Sequence, residues 1–166
     1  MGQNNGTQVK ISREKKTNRH SAEYRHRNKA KLQTMKTSSL VAEAVWSEIE
    51  STRSVTEHQL SVLHFLFGKN FEKATGIVDQ RGVRRISGEQ SGRTVFQVMG
   101  ESRRKEEYLC FAGHYCACYS FFYDIVNKGE QLCCKHQLAA RLAASIGACV
   151  DVKVSDEELA LLLCKI

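Results

Sequence analysis

Two short pairs, Cys116-Ala117-Cys118 and Cys134-Lys135-His136, stand fifteen residues apart and constrain this chain more than any other feature. Three thiols and one imidazole are the donors of a tetrahedral zinc site, which is closed when the protein supplies four ligands and then leaves no position for a catalytic water. The pattern therefore points to one structural zinc ion that holds a fold together, with Cys116, Cys118, Cys134 and His136 as its ligands. In an extended segment residues i and i+2 share a side, so Cys116 and Cys118 can face one ion. Cys134 and His136 open an apolar stretch, Leu138 to Ala144, that reads as a helix. The free N–H groups and positive dipole end of a first helical turn favour thiolates. Three thiolates and a neutral imidazole around a dication leave one negative charge, which Lys135 partly offsets.

The other candidate donors compete with this set. Cys133 adjoins Cys134, and His114 lies two residues before Cys116. Cys134 is preferred because it forms the C-x-H pair, so Cys133 is expected to face elsewhere and His114 to support the knuckle from outside. Cys110, Cys149 and Cys164 are expected to be buried free thiols acting as small apolar residues. A cysteine nucleophile, Cys133 or Cys134 with His136 or His114, would need a neighbouring base and an orienting third group. No such third group stands nearby, and catalysis is not expected.

Length and charge bound the rest. The chain has 166 residues, 42% of them hydrophobic, enough for one modest core with appendages. No stretch approaches the roughly 20 apolar residues of a membrane span. The N-terminus lacks the apolar core of a signal peptide, which predicts a cytosolic or nuclear protein. In that reducing setting seven cysteines favour thiols and metal over disulfides. Of the net charge of +7, residues 1–36 contribute ten basic and two acidic side chains, while the remaining 130 residues carry fifteen basic and sixteen acidic ones. Residues 1–36, polar and poor in apolar side chains, are therefore expected to form a disordered basic tail. The tail reads as a nucleic-acid contact, an import signal around Lys10 to Lys31, or a solubilising extension.

Past the tail the periodicity predicts an α+β chain with N-terminal helices, a three-stranded antiparallel β-meander and C-terminal helices. Residues 37–82 read as the helical segment and 83–166 as the metal-binding domain. Ser38 or Ser39 caps a first helix with Leu40, Val41, Ala44, Val45 and Ile49 on its apolar face. Thr56 and Gln59 form a capping box before Leu60 to Phe67, which Gly68 ends. Phe71, Ala74, Ile77 and Val78 mark a third helix. Val83–Ser87, Thr94–Met99 and Tyr108–Ala112 supply the strands, and Glu101 to Glu107 an exposed loop. Tyr119 to Val126 reads as a buried short helix against the metal, and Ser155 to Glu158 as a capping box opening a last helix with Leu159, Leu162 and Leu163 inside.

The C-x-C…C-x-H array on a meander-then-helix frame resembles the SWIM zinc finger. The segments Leu63–Gly68 (LHFLFG), Ile77–Gly100 (IVDQRGVRRISGEQSGRTVFQVMG), His114–Phe121 (HYCACYSF) and Cys133–Ala143 (CCKHQLAARLA) extend the resemblance. Together they are similar to the small SWIM subunits of Shu complexes, from about Val55 to the C-terminus, and the basic tail falls outside. The resemblance implies a zinc-stapled SWIM domain in a non-catalytic nuclear subunit. Such subunits pair with a RecA-like recombinase paralogue and promote recombinase filaments on single-stranded DNA in homologous recombination and DNA repair. It implies no membrane and no small-molecule substrate, and the chain has no G-x-x-x-x-G-K-[ST] phosphate loop, so ATP binding would belong to the partner.

Two further features are candidates within that frame. Phe71-Glu72-Lys73-Ala74 matches F-x-x-A, a motif by which proteins dock on RecA-like cores, although i,i+3 spacing is ordinary for a helix face. Arg84, Arg85, Arg93, Arg103, Arg104 and Lys105 form a second basic set for DNA, weakened by Glu89, Glu101, Glu106 and Glu107. The alternatives are a SWIM adaptor of a ubiquitin ligase, against which no second Cys/His array of the RING kind is present, and a stand-alone nucleic-acid-binding zinc module.

Overall fold

The computed structural model describes the backbone of residues 6–100 and 106–165, with side chains from residue 29 onward within those ranges. The chain divides into two compact units, Met1–Leu40 and Val41–Ile166. Helix α1 runs over Gly6–Thr52, so the described part of residues 1–36 is helical where the sequence suggested disorder. Its start also precedes the expected caps, Ser38 and Ser39, which lie inside it. The physical reason is an absence of breakers. The chain contains no proline, and after Gly6 no glycine interrupts the run to Thr52. Hydroxyls within α1 turn back to carbonyls one turn earlier, as Thr34 Oγ1 donates to Ala30 O at 3.0 Å and Thr37 Oγ1 to Gln33 O at 3.1 Å.

The C-terminal part of α1 belongs to the larger unit, and its buried face is rotated from the expected one. Ala42, Trp46 and Ile49 are buried, whereas Leu40 is 72% exposed and Val41 is also exposed. Trp46 decides the rotation: its indole has the largest apolar area on the helix, and it packs edge-on against Phe71 with centroids 6.4 Å apart. Arg141 from a later helix lies over the outer face of that indole, 5.2 Å from its centroid, and holds Glu43 with two hydrogen bonds of 2.6 and 2.7 Å.

Helix α2 (Glu57–Phe67) starts on the capping box read from the sequence: Thr56 Oγ1 accepts the Gln59 N–H at 3.2 Å and Gln59 Oε1 accepts the Thr56 N–H at 2.9 Å. Gly68, at φ 55°, ends α2 and opens α3 (Lys69–Asp79), whose buried residues are Phe71, Ala74, Ile77 and Val78, as the periodicity required.

Strands β1 (Val83–Gly88), β2 (Thr94–Met99) and β3 (Glu107–Phe111) form the expected antiparallel meander, but it is the middle of a larger sheet. A two-residue β4 (Tyr115–Cys116) extends one edge, and β5 (Val150–Val154) pairs parallel with β1 at the other, giving a five-stranded mixed sheet in the order β4-β3-β2-β1-β5. Period-2 alternation sends the strand side chains to two faces. Val83, Val98 and Cys110 join the large core with α3 and helix α4 (Lys135–Ile146); Ile86, Val95 and Leu109 meet Leu159 of helix α5 (Asp156–Leu163). At the β1–β2 turn Ser91 Oγ donates to Asp156 Oδ1 at 2.6 Å and the Ser91 N–H to Asp156 Oδ2 at 3.1 Å. A Cβ on Gly88 would overlap Asp156 Oδ1, so this approach of turn to helix requires glycine.

Between the two halves of the Cys/His array lies a π-helical segment, Phe121–Asn127. The expected buried helix is corrected here: Phe121 and Ile125 pack against the core, while Tyr119 and Phe122 are 73% and 60% exposed and Val126 is exposed too. A π-helical turn closes between residues five apart instead of four, so the positions that share one face recur at a longer sequence interval than in an α-helix. Among the described residues no helix is long and apolar enough to cross a membrane.

Candidate metal centre

The two halves of the array reach one point from different elements. Cys116 is on β4, opposite Cys110 of β3, and the connecting turn is closed by the His114 N–H donating to Phe111 O at 3.1 Å. The next peptide is still held to the sheet, with the Ala117 N–H on Leu109 O at 3.0 Å. Cys118 follows just before the π-helical segment, and its sulfur accepts the Phe121 N–H at 3.3 Å. From the other side, Cys134 is the N-cap of α4, its backbone extended and its N–H given to Gln137 Oε1 at 3.2 Å. The loop before it is tied to α3 by Asn70 Nδ2, which donates to Gln131 Oε1 at 2.9 Å and to Cys133 O at 3.1 Å.

Cys116, Cys118, Cys134 and His136 are all buried, and their donor atoms lie within 4.8 Å of one another. The group can hold a metal ion. Cys116 Sγ and His136 Nδ1 are 3.7 Å apart; the corresponding edge of a tetrahedral zinc site is about 3.5 Å for bonds of ~2.3 Å to sulfur and ~2.0 Å to nitrogen. The imidazole stacks on Tyr108 at a centroid distance of 4.5 Å, and its Nε2 is buried with no hydrogen-bond partner among the described residues. A buried imidazole set between thiols and an aromatic ring costs free energy unless a ring nitrogen engages a cation or a donor.

The electrostatics favour the same fit. The Cys116 and Cys134 thiols, then His136 and the Phe121 N–H, donate towards Cys118 and hold its pKa far below the thiol range. Cys116 is pushed far up by its neighbours Cys110 and Cys118, and Cys134 by Cys116 and Cys118. The pocket by itself thus stabilises one thiolate and opposes two more; a dication at its centre lets all three ionise. Tyr108 remains a neutral phenol beside the imidazole, since its hydrogen bond to Glu106 Oε2, 2.7 Å long, and its burial push it up to about 12.

The competing donors stay outside the cluster. Burial pushes the Cys133 thiol up to about 11, and its charged neighbours are Arg141 and Glu43. His114 is exposed. Of the three cysteines expected to be buried, Cys110 is, Cys149 is half-buried and Cys164 is exposed. Phe71 and Ala74 of the F-x-x-A match are buried in the core of the unit, so that motif presents neither anchor to a partner. Within the second basic set, Arg85 is held by Asp151 through bonds of 2.6 and 3.0 Å and Arg84 by Glu107 at 3.3 Å. Arg93 is exposed, and Arg103, Arg104 and Lys105 lie outside the described residues. Sequence reasoning missed Tyr108, Asn70 and Gln137 as supports. Only Gln137, three residues after Cys134, carried a readable signal in its capping-box spacing.

No family model matches the chain, and no solved structure matches it. Curated proteins do. It is 38% identical over 121 residues to zinc finger SWIM domain-containing protein 7 of Homo sapiens, spanning 72% of this chain and 84% of that protein. It is 37% identical over 124 residues to the Danio rerio protein of the same name, spanning 72% and 86%. A homologue from Dictyostelium discoideum matches at 27% over 112 residues, 67% of this chain and 70% of that protein. With the four donors of the array converging on one buried point and relatives matched over most of their length, the chain belongs to the zinc finger SWIM domain-containing protein 7 family.

Proposed function

We propose that this chain is a non-catalytic, zinc-binding subunit of a nuclear Shu-type complex, pairing with a RecA-like recombinase paralogue and promoting recombinase filament assembly or stability on single-stranded DNA. The observation that carries the reading is the closed, buried set Cys116, Cys118, Cys134 and His136 in a chain of this family. Four protein donors leave one zinc ion no open position, so its chemistry is that of a cross-link between sheet and helix. The residues around it bury the donors and stack the imidazole. The surface it organises is the π-helical segment with the turn before it, which offers Tyr119, Phe122 and Val126 to solvent. Exposed aromatic side chains beside a rigid centre suit a protein partner, since such anchors dominate interfaces. Glu130 pairs with Lys128 at 3.8 Å and Asp124 adds a further negative charge, so this face has no positive excess to hold a phosphate backbone, which leaves single-stranded DNA to the complex as a whole.

Native mass spectrometry and an affinity pull-down test the two levels of the reading. One zinc per chain and recovery of a RecA-like protein, lost in a Phe122→Glu variant that keeps its zinc, is the expected result. Recovery of ubiquitin-conjugating enzymes in its place would favour the adaptor, and a folded chain without zinc would remove the foundation.

A further inference from the structure

Beside the four donors stands a fifth thiol that the metal-site pattern does not include. Cys110 and Cys116 face each other across β3 and β4. The neighbouring pair, Leu109 and Ala117, is joined by the Ala117 N–H to Leu109 O bond of 3.0 Å. Hydrogen-bonded and non-hydrogen-bonded pairs alternate along an antiparallel ladder, so Cys110 and Cys116 occupy a non-hydrogen-bonded pair, where opposite side chains come closest, about 4.5 Å between Cα atoms. Both side chains point to the same face and both belong to the large core, and Cys110 has 0% exposure. No water reaches that sulfur, and the residue opposite it across the ladder is Cys116.

We propose that Cys110 is a fifth residue of the metal centre, a positioning residue whose S–H donates a hydrogen bond to the Cys116 sulfur once a bound dication has taken that thiol's proton. This inference rests on the zinc reading above. A site of three thiolates and one imidazole around a dication carries a net negative charge in a buried place, and a donor to one thiolate spreads that charge and fixes the sulfur's direction. Residues that hold a ligand in this way typically change metal affinity about 10- to 100-fold when removed. A thiol is a weak donor, which suits a sulfur that must stay bound to its metal.

Zinc affinity of the full chain, measured by competition with a chromophoric chelator, separates the possibilities when three substitutions are compared. Cys110→Val keeps a buried apolar side chain of similar size and removes the donor; Cys110→Ser keeps a donor; Cys110→Ala removes both. The expected outcome is affinity about 10-fold or more weaker for Val and Ala, with Ser within a few-fold of the parent. Cadmium-substituted protein supplies a second readout, because the ¹¹³Cd resonance should shift in Cys110→Val and return towards the parent in Cys110→Ser, a pattern that follows the donor and not the apolar bulk of the side chain. A Val variant with parental affinity and an unshifted resonance would overturn the proposal and leave Cys110 a core residue. A folded Ala variant that binds no zinc would overturn it in the other direction, making Cys110 a ligand. A parent chain that takes up no zinc defeats the zinc reading itself, an outcome visible before any variant is made.

Discussion

Helices α4 and α5 begin on one plan with different atoms. Ser155 opens α5 with its hydroxyl on the Glu158 N–H at 3.2 Å, and Glu158 returns a carboxylate oxygen to the Ser155 N–H at 3.1 Å. Cys134 and Gln137 take the same places in α4, with Gln137 Oε1 on the Cys134 N–H. Oxygen side chains are the preferred caps, and a thiol is a weak acceptor. A cysteine at this position gives up capping strength, and its sulfur points into the buried cluster. Each helix start is also fastened to the sheet: α5 through Asp156 on the β1–β2 turn, α4 through the shared donor cluster with β4. One anchor consists of ordinary hydrogen bonds, while the other is a donor set that can hold a metal.

Exchanging the cap atoms breaks that comparison most sharply. Cys134→Ser supplies a better cap and removes a donor, so capping alone predicts a gain and the metal anchor a large loss. The expected loss exceeds about 4 kcal/mol, the range of metal removal. Urea unfolding of zinc-loaded protein measures it, and chelator should lower the melting temperature of the parent far more than that of the variant. The α5 anchor yields next: Gly88→Ala pushes the turn off Asp156 and should cost about 1–3 kcal/mol, without changing zinc content. Converting the α5 start to the α4 composition by Ser155→Cys should cost about 1 kcal/mol and recruit no metal, read by thermal melting and metal analysis together. The smallest effect belongs to Glu43, whose hydrogen bonds to Arg141 hold its carboxyl below the usual range. A lowered carboxylate pKa stabilises the fold above the ordinary value and loses that contribution as pH falls through the folded one. Glu43→Gln should therefore cost under about 1 kcal/mol at neutral pH, and the difference should vanish in acid.

The contrast also marks what the sequence could tell. Thr56 with Gln59 and Ser155 with Glu158 were legible because a cap is a local bargain between residues three apart. The Cys/His pairs were legible for the same reason. The parallel pairing of β5 with β1 was not: Val150–Val154 alternates, but five residues are a faint signal, and the partner strand lies more than sixty residues earlier. The rotation of α1 escaped because it turned on one residue, Trp46, whose weight appears only when Phe71 and Arg141 close around it. The exposed aromatics of the π-helical segment escaped because apolar composition suggests burial, and nothing local says which side faces water.

The fifteen residues between Cys118 and Cys134 form a loop whose ends are fixed by the donor cluster. Closing such a loop is an entropic matter, and doubling its length costs only about 0.6 kcal/mol more. The exposed positions Tyr119, Phe122 and Val126 can thus change, and residues can be added after Asn127, at small thermodynamic penalty, provided the donors, Phe121, Ile125 and the Asn70 tie to Gln131 and Cys133 are kept. The side chains at that face can be exchanged while the fold beneath it stays put.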